Sequence, residues 1–396
     1  MKFRKMMAIM LVSAMAVATF AGCGESSSDS SDAAAEETTE AADDTAEAAD
    51  DTAEAADDTA TAAADGDIFI GVSLGTLKQE RWAREADMFQ DFADENGYDI
   101  SIQSANEDTA LQVSQCENLI TQGIDVLVLQ PLDGNAVSPI IEAAHEAGIK
   151  VISYDRLATN CDLDYYVTFD TVKVGEEEAK FVLEQAPTGN YIWLLGGSED
   201  FNSVLLEEGQ HNVLDEYIES GDINIVLGPQ NCDGWDPEKA MAYTEEGLTK
   251  ADNDIQAVLA SNDGTCGGAV QALEAQGLAG EVATCGQDAD LAACQRIVEG
   301  TQTGTVFKPT PTLNQAACEL AVAIAQGEED PLSVVDTSLG TVGTVNNETK
   351  DVESFNVDVI PVTADNMYDV IIKQYEYHTL EEVYANVPED EWPAAE

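Results

Sequence analysis

Basic side chains are scarce in this sequence. Only 16 Lys and Arg stand against 77 Asp and Glu in 396 residues, for a formal net charge of −61. Clustered Lys and Arg are what hold phosphate backbones, so nucleic acid is excluded as a partner. Anionic lipid is excluded as an electrostatic docking surface for the same reason. The excess acidity reads as a solvated surface that keeps the protein soluble. Histidine is rarer still, at His145, His211 and His378, and no two cysteines are spaced as CxxC. The zinc-ligand spacings are therefore missing, and no metal is expected.

Cofactor and catalytic patterns are missing too. Gly264, Gly267 and Gly268 have neither the position nor the context of a dinucleotide fingerprint. They read as glycines that permit close helix packing, and no cofactor is expected. Asp252-Asn253-Asp254 lacks the Gly and the distant bidentate Glu of a calcium loop, and reads as a turn. No nucleophile–base pair stands out, so an enzyme is not expected. No helix-turn-helix or basic segment precedes Asp67, which sets aside a transcription regulator.

The N-terminal apolar run, Met6 to Phe20, has the length of a signal sequence rather than of a membrane span. Lys2, Arg4 and Lys5 precede it. Phe20-Ala21-Gly22-Cys23 follows as a bacterial lipobox, with Phe where Leu is usual. Residues 1–23 are thus expected to be a lipoprotein signal peptide. Cys23 would be acylated and would hold the mature protein to the cell membrane, outside the cytoplasm. The other seven cysteines are an odd number and cannot all pair within the chain. They read as mostly free thiols, which in an exported protein implies a reducing or anaerobic environment.

Residues 24–66 contain no Phe, Tyr, Trp, Leu, Ile or Val and repeat EAADDTA at Glu40–Ala46, Glu47–Ala53 and Glu54–Ala60. Such a segment cannot bury enough surface to fold. Ala pairs beside Asp-Asp make a poor coiled-coil seam, so a disordered acidic tether is expected. A flexible chain of this length spans roughly 35–40 Å and extends further by self-repulsion.

From Asp67 onward the pattern is strand, polar tip, helix, repeated. The clearest stretch runs from Val258 to Lys308. Val258-Leu259-Ala260 ends at Ser261-Asn262-Asp263, and a helix follows to Gly277. Val282 and Ala283 lead to Gln287-Asp288, and a second helix closes at Gly300. Thr305 to Phe307 then leads to Lys308. Strands alternating with helices imply βαβ units and a parallel sheet. Ligands bind beyond the carboxyl ends of such strands, so Asn262, Asp288 and Lys308 share one rim. Upstream, Ile68–Val72, Ile100–Gln103, Val126–Leu129, Val151–Tyr154 and Tyr166–Phe169 form one run of strands. Tyr191–Leu195, Ile223–Leu227 and the Val258 unit form a second, and Trp193 reads as core. Two Rossmann-like lobes are the fold expected. The acidic end, Gln374 to Glu396, reads as a short helix near Leu380–Tyr384 or as a frayed end.

Several motifs in order resemble one family. They are Glu80-Arg81-Trp82, Gln103-Ser104-Ala105-Asn106, Tyr154-Asp155-Arg156, Phe169-Asp170 with Val174-Gly175, Asp233-Gly234-Trp235, Ser261-Asn262-Asp263, Gly286-Gln287-Asp288-Ala289-Asp290, Gly300-Thr301-Gln302-Thr303 and Lys308-Pro309. Together they are similar to the sugar receptors of ABC transporters with the periplasmic-binding-protein fold, most closely those for D-xylose. The resemblance implies a type I two-lobe fold with a three-segment hinge, crossing near Asp170, Thr305 and Phe355. The first lobe would take 67–170 plus 306–354, and the second 171–305 plus 355–396.

The resemblance also implies a site. Arg81, Asp155 and Arg156 would bind sugar hydroxyls from the first lobe, Asn202, Ser203, Asn262 and Asp288 from the second, and Lys308 from beside the hinge. Trp82 and Trp235 would flank the ring. One segment departs from the family pattern: in Glu199-Asp200-Phe201-Asn202-Ser203, Phe201 falls where a hydroxyl-binding Asp is expected and Ser203 where an Asn is expected, with Asp200 adjacent. These residue types suit a sugar, since carboxylates and guanidinium forks meet the hydroxyl edge. Indoles offer flat apolar faces to the C–H groups. The implied partners are a monosaccharide, D-xylose or another aldose such as glucose or galactose, and an ABC permease. The protein would act as a monomer. A sensor that presents its closed form to a chemoreceptor or histidine kinase would use the same residues.

Overall fold

A computed structural model of the chain describes residues 68–394; the signal segment, Cys23 and the acidic tether lie outside the described residues. The chain first lays down β1 (Phe69–Leu74), α1 (Glu80–Asn96), β2 (Asp99–Ser104), α2 (Thr109–Gln122), β3 (Val126–Gln130), α3 (Ser138–Glu146), β4 (Lys150–Tyr154) and β5 (Tyr165–Phe169). It then crosses into α4 (Thr171–Gln185), β6 (Gly189–Leu195), α5 (Phe201–Ser220), β7 (Ile223–Asn231), α6 (Pro237–Lys250), β8 (Ala257–Ala260), α7 (Asp263–Gln276), β9 (Ala283–Gln287), α8 (Leu291–Glu299) and β10 (Gly304–Phe307). The remainder forms α9 (Thr310–Ala325), β11 (Gly340–Asn346), β12 (Asp351–Val357), β13 (Ile360–Val362), a π-helical segment (Tyr368–Gln374) and α10 (Leu380–Val383).

Two sheets organise these elements. One has the order β11-β12-β5-β4-β3-β1-β2 and the other β13-β10-β9-β8-β6-β7. Only the pairings β11–β12 and β10–β13 are antiparallel among the described strands. Each sheet is covered on both faces, which is why its central strands read as unbroken apolar runs. In β3, Val126 and Val128 enter one core cluster while Leu127 and Leu129 enter another. In β8, Ala257 and Leu259 face one cluster and Val258 and Ala260 the other. Trp193 is buried in the second lobe, and its indole N–H donates to Gln210 Oε1 at 2.6 Å. Each such large apolar side chain stabilises the fold by about 1.5–3 kcal/mol.

The crossings fall slightly later than expected at two of three points. Thr305 and Val306 still pair with β9, and Phe307 pairs with Ile360 of β13, so the chain leaves the second sheet only at Lys308. From there α9 returns to the first lobe, where Leu313, Ala317 and Leu320 enter its core. Ser354 to Val357 still pair with β5, so the last crossing lies at Asp358. The apolar pattern runs as far as the pairing does, with Phe307 and Val357 fully buried at the last paired positions.

Gly97 and Gly277 end α1 and α7 in the left-handed region, at φ 72° each, as the position of Gly277 predicted. Of the three glycines expected to admit close packing, only Gly268 does so: a β-carbon there would meet the Pro237 carbonyl of α6 at 2.0 Å. At Gly264 nothing would lie nearer than 3.5 Å, and at Gly267 the nearest atom is Arg296 Nη1 at 3.2 Å. The acidic end is packed through Tyr384, and α10 falls within the helix expected at Leu380–Tyr384. Val370, Ile371, Val383 and Tyr384 pack with Phe307, Ile297 and Cys294 in a core of their own. The thiols of Cys116, Cys161, Cys232, Cys266, Cys285, Cys294 and Cys318 are all free and buried. No described helix is long and apolar enough to cross a membrane.

Candidate functional site

The carboxyl ends of both sheets face one another across a narrow slot of about 420 Å³, its open mouth included. The first lobe lines it with Gln79, Arg81, Trp82, Asp155, Arg156 and Phe169. The second lines it with Thr171, Asp200, Asn202, Trp235, Asn262, Gln287 and Asp288, and Lys308 joins from the second crossing. Nine of the ten expected ligand-binding residues thus come to one slot. Ser203 does not: it lies in the first turn of α5 and its hydroxyl donates to the Gly197 carbonyl at 2.7 Å.

Arg81 sits in the first turn of α1 and organises the first lobe's wall. Its Nε donates to Glu85 Oε1 at 2.7 Å and its Nη2 to Asp155 Oδ2 at 2.8 Å. Its Nη1 reaches across to Asp288 Oδ1 of the second lobe at 3.4 Å. Glu85 is held in turn by the Tyr154 hydroxyl. Burial pushes the Glu85 carboxyl above its ordinary value, with Arg81 opposing. Burial would also raise Asp155, but Arg81, Lys308 and Arg156 outweigh it and hold that carboxyl low. Asp155 is therefore the ionised member. Its carbonyl accepts from Tyr166 Oη at 2.8 Å, Thr168 Oγ1 at 3.0 Å and Asn202 Nδ2 at 3.2 Å.

The second lobe's wall follows from helix N-termini. Asn262 caps α7, its Oδ1 accepting from Thr265 N–H at 2.8 Å, which leaves its amide nitrogen without a partner among the described residues. Asp200 caps α5, and Asp200 Oδ2 also lies 2.8 Å from Arg156 Nε. That ion pair is not aligned as a hydrogen bond, and Arg156 Nε is buried without an acceptor. Lys308 Nζ stands 2.9 Å from Asp288 Oδ1 and 4.0 Å from Asp155 Oδ2.

Four of the eleven non-glycine residues with positive φ among those described lie at or beside the slot. Asp155, Trp235, Asp288 and Ala289 have φ of 61°, 55°, 101° and 53°. Such conformations persist only where surroundings over-determine them. The 288–290 turn is held on every side: Asp288 N–H donates to Val306 O at 3.0 Å and Ala289 N–H to Thr305 Oγ1 at 3.2 Å. Asp290 N–H donates to Asp263 Oδ2 at 3.1 Å. His378 Nε2 lies 2.8 Å from Ala289 O, so the C-terminal segment braces the turn that carries Asp288. Burial pushes Asp263 up to about 7, with Arg296 opposing.

The motifs left Gln79, Phe169, Thr171, Asp200 and Gln287 unassigned. Phe169 and Gln287 end β5 and β9, so the strand-end rule applied to every strand would have found them. No group of three or more potential metal ligands occurs among the described residues.

The sequence model of the periplasmic binding protein domain matches residues 70–329. The D-xylose-binding periplasmic protein of Haemophilus influenzae is 45% identical over 318 residues, 80% of this chain and 92% of that protein. The protein of the same name from Escherichia coli is 44% identical over 307 residues, 78% of this chain and 90% of that one. A carbohydrate transporter solute binding protein from Chloroflexus aurantiacus, solved with D-glucose, superposes with a TM-score of 0.73 at 32% identity, covering 80% of this chain and 98% of that one. With two α/β lobes, three crossings and the slot between them, this chain belongs to the periplasmic binding protein family.

Proposed function

We propose that the protein captures an uncharged monosaccharide, D-xylose first among the aldoses, outside the cytoplasm and delivers it to an ABC permease. One observation carries the reading: both lobes and the second crossing send hydrogen-bonding side chains to a single slot walled by two indoles. Arg81, Asp155 and Arg156 would meet hydroxyls from one side, Asn202, Asn262 and Asp288 from the other, and Lys308 from the hinge. Trp82 and Trp235 would take the ring's C–H faces. The Asn262 amide nitrogen remains available as a donor.

The charge balance supports a neutral ligand. Arg81, Arg156 and Lys308 face Asp155, Asp200 and Asp288, and each cation already touches a carboxylate. Glu85 stands behind Arg81, so an anionic sugar would meet a wall with no spare positive charge. Hydrogen bonds to charged groups contribute about 1.5–3 kcal/mol each. Half a dozen, less the cost of association, correspond to micromolar binding or tighter, about −8 kcal/mol. Only the closed state contacts sugar from both lobes, so binding shifts the lobes toward closure. The polar groups hold each other and the ligand in place rather than activate a nucleophile, and no catalysis is proposed. Acylation of Cys23 would keep the receptor at the membrane beside its permease.

Titration with xylose, glucose, galactose, arabinose and ribose, followed by calorimetry and tryptophan fluorescence, tests the reading. Xylose is expected to bind in the micromolar range or tighter with a change in emission. Silence toward all five aldoses would overturn it.

A further inference from the structure

The N-terminus of α5 crosses the cleft with three consecutive residues. Asp200 is 3% exposed, and both of its carboxylate oxygens are committed to protein. Oδ1 accepts from Asn202 N–H at 3.0 Å, and Oδ2 takes Trp235 Nε1 at 3.2 Å and faces Arg156 Nε at 2.8 Å. Arg156 belongs to the first lobe and Trp235 to the second, so one buried carboxylate ties two walls of the slot together. Phe201 packs against a core cluster otherwise built from the first lobe, with Leu157 and Ala158 among its members. Asn202 Nδ2 reaches Asp155 O and Oδ1 at 3.2 and 3.3 Å. None of these contacts needs a ligand.

We propose that Asp200 is a positioning residue for capture: it holds both the Arg156 guanidinium and the Trp235 indole in place, at the centre of a seam that Phe201 and Asn202 complete. The carboxylate acts on the ligand through these two side chains. The proposal rests on the receptor reading given above. Removing one partner of a buried ion pair leaves the other charge uncompensated, so Arg156 would leave its place and the lobes would part more readily. A receptor whose closed state is less populated binds more weakly in proportion.

The test is Asp200→Asn. Asn caps a helix as well as Asp does and keeps an acceptor for the indole, but it removes the charge facing Arg156. The variant is expected to bind xylose about 10- to 100-fold more weakly, chiefly through faster release, as loss of one charge of a buried ion pair implies. Its ligand-free form should show red-shifted tryptophan emission and a larger radius of gyration by small-angle scattering, with the melting temperature near that of the wild type. Phe201→Ala, which leaves every residue lining the slot in place, should enlarge the ligand-free radius without moving the emission. Asp200→Asn binding within two-fold of wild type, with unchanged emission and radius, would overturn the proposal. Should wild type bind no aldose, the receptor reading fails instead, while emission and radius of the ligand-free variants still decide this one.

Discussion

Glu178 shows how much a single buried carboxyl can cost. It is fully buried in α4, and its Oε2 accepts from Gln210 Nε2 at 2.7 Å, while Oε1 has no partner. Burial pushes its affinity for a proton well above the ordinary value. A carboxyl raised in the folded state favours folding at low pH, where both states carry the proton. That advantage drains away as pH climbs from the ordinary carboxyl range toward the raised value, by about 1.4 kcal/mol per unit. Glu178→Gln carries no such slope. It should therefore match wild type near pH 4.5 and exceed it increasingly toward neutrality, by denaturant unfolding at several pH values. Equal stability of the two proteins at every pH would refute this.

Much of the slot was legible at this scale. Asn262, Asp288 and Lys308 follow strands, and the strand-end rule needs no knowledge of packing. Ser203 and Asp200 were harder, because both lie in the same turn of helix and only the rotation of α5 decides which faces the cleft. Phe169 ends a core strand, so the strand-end rule marks its position, but nothing in its identity says that its ring also walls a ligand site.

At the scale of elements, α6 and α7 meet through Gly268. A methyl group there would collide with backbone, the Pro237 carbonyl at 2.0 Å and Met241 N at 3.2 Å, neither of which can swing away. Gly268→Ala should cost about 1–3 kcal/mol, the usual range for overpacking. Gly264→Ala, with nothing nearer than 3.5 Å, should be neutral or slightly stabilising. Thermal melts of the two variants compare them directly, and equal losses would show that the helix contact does not set the difference. The sequence marked α7 by its place after the Val258 strand and by its terminal Gly277. It could not say which of three nearby glycines touches a neighbour, since that depends on the azimuth at which two helices cross. The C-terminal segment was ambiguous for a related reason: its aromatic residues are spaced too irregularly for a helix, and they find order only against Phe307 and the face of α8.

At the scale of the molecule, seven thiols occupy separate buried positions across the two lobes. Burial pushes Cys116 and Cys161 up to about 11 and Cys232 and Cys266 up to about 12. The thiolate is the reactive form, so these groups are inert while the fold holds. Ellman's reagent at pH 8 should find none of the seven in native protein and all of them after unfolding in guanidinium; prompt reaction of any one in the native state contradicts this.

The paired charges lining the slot carry a consequence for the solution around the protein. A neutral guest arriving among ions that already balance one another releases no counterions, and the field of a strongly acidic molecule exerts no net pull on it. Xylose affinity should therefore stay within two-fold between 10 mM and 500 mM sodium chloride, measured by calorimetry. A steep dependence on ionic strength would mean that the guest itself brings charge.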